Sequence, residues 1–110
     1  MKRKSFKVMT RLNPYEVGYF LDNATLTEVL GYFKNIETES VFVYHSVEDH
    51  RWYVVDILTG LSAAHGKTMY IAEERFITDI KKYREQKNAE SYHKAILKYQ
   101  ELLKESKGVN

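Results

Sequence analysis

Gly60 to Thr68, GLSAAHGKT, lies between a strand-like run and a helix-like one, the setting in which a glycine-rich loop wraps a phosphate. That chemistry places four residues between the first glycine and the Gly-Lys pair, because successive backbone amides must curl around one phosphate. Here five residues intervene. Everything after Thr68 reads as helix, so no later strand supplies a carboxylate for magnesium. A strand-ending glycine followed by a Thr68 cap accounts for the segment. In a reduced form of the idea, Gly66, Lys67 and Thr68 hold an anion at a helix N-terminus.

The histidines are a second set. His45 and His50 flank a turn that contains Asp49, and His65 falls on a neighbouring strand. If the turn holds four residues, His45 and His50 face each other with Cβ atoms roughly 5 Å apart, close enough to share a metal. If the turn is Glu48–Asp49 alone, they do not pair, and the pattern leaves both registers open. Asp56 is the third candidate, a carboxylate inside an otherwise apolar strand. It is either a perturbed functional acid or an acceptor for the following Thr59–Gly60 turn. No second carboxylate stands at a defined spacing from it. With no cysteine and no nucleophile-elbow serine, thiol and serine catalysis have no anchor, and neither a metal nor a cofactor is indicated.

Binding chemistry has more support. Nine tyrosines and one tryptophan in 110 residues exceed what a core of this size uses, and such rings are enriched at protein interfaces. Tyr44, Trp52, Tyr53, Tyr92 and Tyr99 are the candidate partner-contacting residues. The alternative is a nucleic-acid surface built from Lys2, Arg3 and Lys4 in a basic arm with Lys81, Lys82 and Arg84 in a helical cluster. The net charge of only +2, and the glutamates at 85, 90, 101 and 105, dilute that surface.

These residues must be positioned by ordinary elements. Ser5 to Leu12 alternates as a strand until Asn13–Pro14 interrupts it. Tyr15 to Leu21 reads as a short helix with Asn13 as its cap, or as the return strand of a hairpin. Thr25 and Glu28 form a capping-box pair, and Leu26, Val29, Leu30 and Phe33 follow at helical spacing, which predicts a helix from Leu26 to Asn35. Val41 to His45 and Arg51 to Ile57 are strands of a hairpin, with a third strand at Leu61 to His65. Both faces of that hairpin are apolar. Val41, Val43, Trp52 and Val54 share one face, and Phe42, Tyr44, Tyr53 and Val55 share the other. Either helices cover both faces or one aromatic face awaits a partner. Thr68 then caps a helix carrying Ala72, Phe76, Ile80 and Tyr83. The apolar pattern lapses from Arg84 to Ser91 and resumes with Tyr92, Ile96, Tyr99 and Leu103. That gives two antiparallel helices or one long one.

The expected fold is therefore α+β, a small antiparallel sheet of three to four strands against about three helices. It forms a single domain over 1–110, with a flexible basic arm at 1–4 and a frayed tail at 106–110. No apolar run approaches the roughly 20 residues of a membrane span, and the absence of cysteine agrees with a cytoplasmic setting. In composition the chain resembles small accessory proteins of bacterial phages and mobile elements. The expected function is a non-enzymatic protein-binding module that uses an aromatic sheet face or the exposed side of the C-terminal helices to engage a protein partner or a second copy, with no small-molecule substrate evident.

Overall fold

Runs of β-branched and aromatic residues fill most of the first 66 positions, and they pair into one antiparallel meander. The computed structural model describes residues 2–12 and 18–108. Strands β1 (Lys4–Arg11), β2 (Ala24–Ile36), β3 (Glu39–Ser46), β4 (Arg51–Asp56) and β5 (Ser62–Gly66) stand side by side in chain order. Helices α1 (Met69–Thr78), α2 (Ile80–Gln86) and α3 (Glu90–Gly108) follow, and a 3-10 turn at Phe20–Asn23 leads into β2. The class is the expected α+β; the sheet has five strands rather than three or four.

The extra strand is β2, so the helix expected over Leu26 to Asn35 is corrected. Its apolar residues sit at helical spacing by coincidence, because both faces of this strand carry apolar side chains. Val29 and Phe33 point to one face, while Leu30 and Ile36 share the other with Lys34. The apparent capping box has a different use. Glu28 accepts a hydrogen bond from the Ser5 hydroxyl, and Thr27 pairs with Thr10 at 2.9 Å across β1 and β2. Gly31 in mid-segment is a helix-weakening residue and was the local sign against a helix.

Register assigns the two faces of the sheet. Val41, Val43 and Val54 lie on the first face with Ile36, beneath Ala72 and Phe76 of α1 and Tyr83 of α2. Trp52, Ala64, Met69, Ile77 and Ile80 pack around this layer. On the second face Val8, Phe42 and Val55 are buried among Phe6, Val29, Tyr44, Tyr53 and Ile57, all from the strands and the turn after β4. This second cluster contains no helical residue, though Phe6 at its edge lies 6.4 Å from the ring of Tyr99 of α3. It is buried because the sheet curls: Met9 of β1 donates to the carbonyl of Gly60, between β4 and β5, at 2.8 Å.

Thr68 caps α1 by accepting from the amide of Ile71 at 3.1 Å. The helical stretch breaks twice. One break is at Asp79, where φ −100° and ψ 13° leave the helical region, and the other separates α2 from α3. The tail region is therefore two helices after α1 rather than one long helix, and α3 packs on β2 more closely than on α1. Asn13, Pro14 and the start of Tyr15 to Leu21 lie outside the described residues, as do Met1 and positions 109–110. Within the described part, β1 begins at Lys4 and α3 runs through Gly108.

Candidate functional site

The second face of the sheet, opposite α1 and α2, carries Phe6, Phe33, Tyr44 and Tyr53 among its accessible aromatic side chains. Phe6 lies 6.4 Å from the ring of Tyr99 of α3. On this face Phe33 packs edge-on to Phe42 with centroids 4.9 Å apart, and edge-on to Phe6 at 5.7 Å. Phe6 also stacks on Phe42 at 4.7 Å. Phe33 remains 47% exposed, although it touches two other phenyl rings. Further along the same face Tyr44 and Tyr53 stack at 5.4 Å, and the ring of His65 lies 5.6 Å from Tyr53. Gly31 stands between the two clusters, opposite Tyr44.

The curl turns this face into a groove. A cavity of about 820 Å3 runs between β1–β2 and the tip of the β3–β4 hairpin, with Val8, Val29 and Tyr44 among its walls. A smaller one of about 250 Å3 adjoins it, sharing Val8 and Tyr44 and adding Tyr53, Asp49 and Val55. Both are lined by Glu48. The walls mix charge: Glu28, Glu48 and Asp49 stand with Arg3 and Arg11. Burial first, then Asp49 and Glu48, push the Tyr44 hydroxyl above the usual tyrosine range. The hydrogen bond that Tyr53 donates to the Asp49 carboxylate is the main cause raising Tyr53 to about 12. The same bond holds Asp49 below the usual carboxylate range. Stacked rings beside charged side chains of both signs suit a segment that mixes polar and apolar side chains.

The five tyrosine and tryptophan candidates separate. Tyr44 and Tyr53 come together on the groove. Trp52 is on the helix-covered face, opposite His45, and packs against the first core cluster. Tyr99 is buried and donates from its hydroxyl to the carbonyl of Lys7 at 2.6 Å, fastening α3 to β1. Tyr92, at the start of α3, donates to the Asp56 carboxylate at 3.0 Å. Trp52, Tyr92 and Tyr99 are thus committed to the fold rather than presented as one surface with Tyr44 and Tyr53.

Asp56 is 4% exposed and is saturated with donors. The amide of Thr59 donates to it at 3.0 Å and the Thr59 hydroxyl at 2.8 Å, as the turn-acceptor reading expects. Tyr83 of α2 and Tyr92 of α3 add their hydroxyls. One carboxylate therefore ties the β4–β5 turn to two helices. Burial raises Tyr83 and Tyr92 far above the ordinary tyrosine range, reinforced by the Asp56 charge and hydrogen bond. Tyr99 rises to about 12, chiefly through burial.

The sign of the resulting pH dependence follows directly. The folded chain keeps these phenolic protons above the ordinary value of about 10, where the unfolded chain releases them. Stability from Tyr53, Tyr83, Tyr92 and Tyr99 is therefore complete below about pH 10 and is lost as pH rises through the raised values. Absorbance titration of the nine tyrosines should show a delayed class that ionises together with loss of the circular-dichroism signal. A titration complete by about pH 11 with the fold intact would contradict these bonds.

The remaining candidates disperse. The hairpin loop has four residues, Val47 to His50, between the Ser46–Arg51 pair. This offsets the histidines by one position, so that His45 lies opposite Trp52 and His50 sits in the turn at φ 58°. Among the described residues no three His, Cys, Asp or Glu side chains converge as metal ligands. The residues that would form a phosphate loop after Gly60 are extended as β5. In the basic cluster, Arg84 bonds Glu39 at 3.0 Å and the carbonyl of Glu37 at 2.6 Å, and Lys87 reaches Glu39 at 2.6 Å. These bonds, Lys87 first, hold Glu39 below the usual carboxylate range. Lys81 and Lys82 are exposed on α2, while Lys2, Arg3 and Lys4 lead into β1.

Sequence reasoning missed Phe6 and Phe33 as surface candidates. Its helical spacing places Phe33 in the apolar stripe of a helix, which hides its position on a sheet face. No helix among the described residues is long and apolar enough to cross a membrane. No known protein family, curated protein or solved structure matches the chain.

Proposed function

We propose that this chain is a non-enzymatic protein-binding module that docks a partner on the face of its sheet opposite α1 and α2. The observation that carries the reading is Phe33, a large apolar ring left 47% exposed within an aromatic cluster whose other edge, at Phe6, meets Tyr99 of α3. Exposed aromatic rings beside a well-packed floor are the usual anchors of a protein interface. The face offers apolar contacts at Phe6 and Phe33 and, further along, a groove at Tyr44 and Tyr53 whose walls carry Glu28, Glu48 and Asp49 together with Arg3 and Arg11.

The competing reading, a nucleic-acid surface on Lys2, Arg3, Lys4, Lys81, Lys82 and Arg84, has less support because Arg84 is engaged by Glu39. A single substitution separates the two. Phe33→Asp puts a charge at a half-exposed ring and removes its contacts with Phe6 and Phe42, so capture is compared well below the variant's own melting temperature. Affinity capture, run with nuclease, should recover a defined partner on the native chain and lose it on Phe33→Asp. Capture that survives Phe33→Asp sinks the groove. Capture that depends on nucleic acid and on Lys81 and Lys82 favours the alternative. If the partner is a second copy, sedimentation will show a dimer that Phe33→Asp converts to monomer.

A further inference from the structure

Arg51 on β4, Lys67 after β5 and Arg75 on α1 converge on one cavity of about 340 Å3, closed by His65, Gly66 and Ile71. No carboxylate lines it. Three cations around one space repel one another, and an anion placed among them removes that repulsion. The ion pairs formed among the described residues involve none of the three. Asp49 feels the charge of Arg51 but belongs to the β3–β4 turn and is not on the wall.

The backbone fixes the geometry. Arg75 donates from Nη1 to the carbonyl of His65 at 2.9 Å, which holds the guanidinium over the end of β5 and leaves its other N–H groups for a ligand. Gly66 lets α1 begin hard against the strand end, since a Cβ there would lie 2.6 Å from Cγ2 of Ile71. With Thr68 capping the amide of Ile71, the first amides of α1 have no carbonyl one turn back to bond, and the helix dipole adds positive potential.

We propose that this cavity binds a dianionic phosphoryl group, as inorganic phosphate or a phosphomonoester. Two guanidinium forks and an ammonium exceed what a single carboxylate needs and match the charge and several acceptor oxygens of a phosphomonoester. The site shares no lining residue with the sheet groove, and it stands whether or not that groove docks a partner.

The test follows the backbone amides of Gly66, Lys67 and Ile71 by nuclear magnetic resonance at constant ionic strength. Inorganic phosphate, phosphoserine and a five-nucleotide single-stranded DNA are titrated separately, with serine and chloride as controls. Phosphate and phosphoserine should give saturable shifts at these amides, and the controls none. Arg75→Gln and Lys67→Gln, both at exposed positions, should each weaken binding about tenfold without altering the rest of the spectrum. Shifts that do not saturate, that chloride reproduces, or that both variants leave unchanged overturn the proposal. DNA binding more tightly than phosphoserine at the same amides overturns the phosphomonoester assignment.

Discussion

Asp56→Ala should destabilise the fold by about 3–5 kcal/mol, most of what a domain of this size ordinarily has. The carboxylate accepts from the Thr59 amide and hydroxyl and from the hydroxyls of Tyr83 and Tyr92. Removing only the acceptor strands all of those donors in a site that is 4% exposed. The cost is the desolvation of unpaired groups more than the lost attraction, so the partners should behave differently. Tyr83→Phe and Tyr92→Phe each remove one donor while leaving the carboxylate other partners, and should cost about 1 kcal/mol apiece. In the Asp56→Ala background the same tyrosine substitutions should cost less, because the hydroxyl has already lost its acceptor. Urea unfolding followed by circular dichroism measures the cycle. A loss below about 1 kcal/mol for Asp56→Ala would show that the cluster does not hold the helices to the sheet.

That cluster also shows how far the sequence could be read. Asp56 in an apolar strand was visible, and the turn at Thr59–Gly60 was named as its donor. Tyr83 and Tyr92 were not, because they lie 27 and 36 residues away and nothing local ties them to a strand end. The two-faced hairpin was legible because period two is a local property, and Val41, Val43, Phe42 and Tyr44 fall on the faces that their parity assigns. Segment Leu26 to Asn35 was misread for the same local reason. Leu26, Val29, Leu30 and Phe33 satisfy a helical stripe and a two-sided strand equally well. Only pairing with β1 on one side and β3 on the other decides between them. The groove depends on that decision, which is why Phe33 and Phe6 were invisible as a surface while Tyr44 and Tyr53 were not. Trp52, Tyr92 and Tyr99 show that ring counts alone do not distinguish an interface from a core. Each has a specific partner inside the molecule, and those partners are distant in sequence.

Gly31→Ala is expected to have an effect of similar size by a different route. The added Cβ would stand 2.1 Å from the carbonyl oxygen of Val43, 2.8 Å from Cβ of Tyr44 and 2.9 Å from Cε1 of Phe42. The first contact is with backbone in a central strand, and Val43 is fully buried against α1, so β3 cannot retreat without disturbing the helix layer. Overpacking that no side chain can relieve should cost about 3 kcal/mol or more, lowering the melting temperature by roughly 12 °C or more. The absent side chain has a structural role as well: it lets β3 approach β2 closely where the sheet curls, and the curl brings β1 to Gly60 and forms the groove. If Gly31→Ala folds at all, the Met9–Gly60 hydrogen bond should be the first casualty, seen as faster hydrogen exchange of the Met9 amide. A melting temperature within about 3 °C of the native value, with that amide still protected, would mean that the close approach is not what shapes the sheet. Phe33→Asp and Gly31→Ala then answer separate questions. The first removes an anchor and leaves the groove in place, while the second removes the curvature on which every residue of the groove depends.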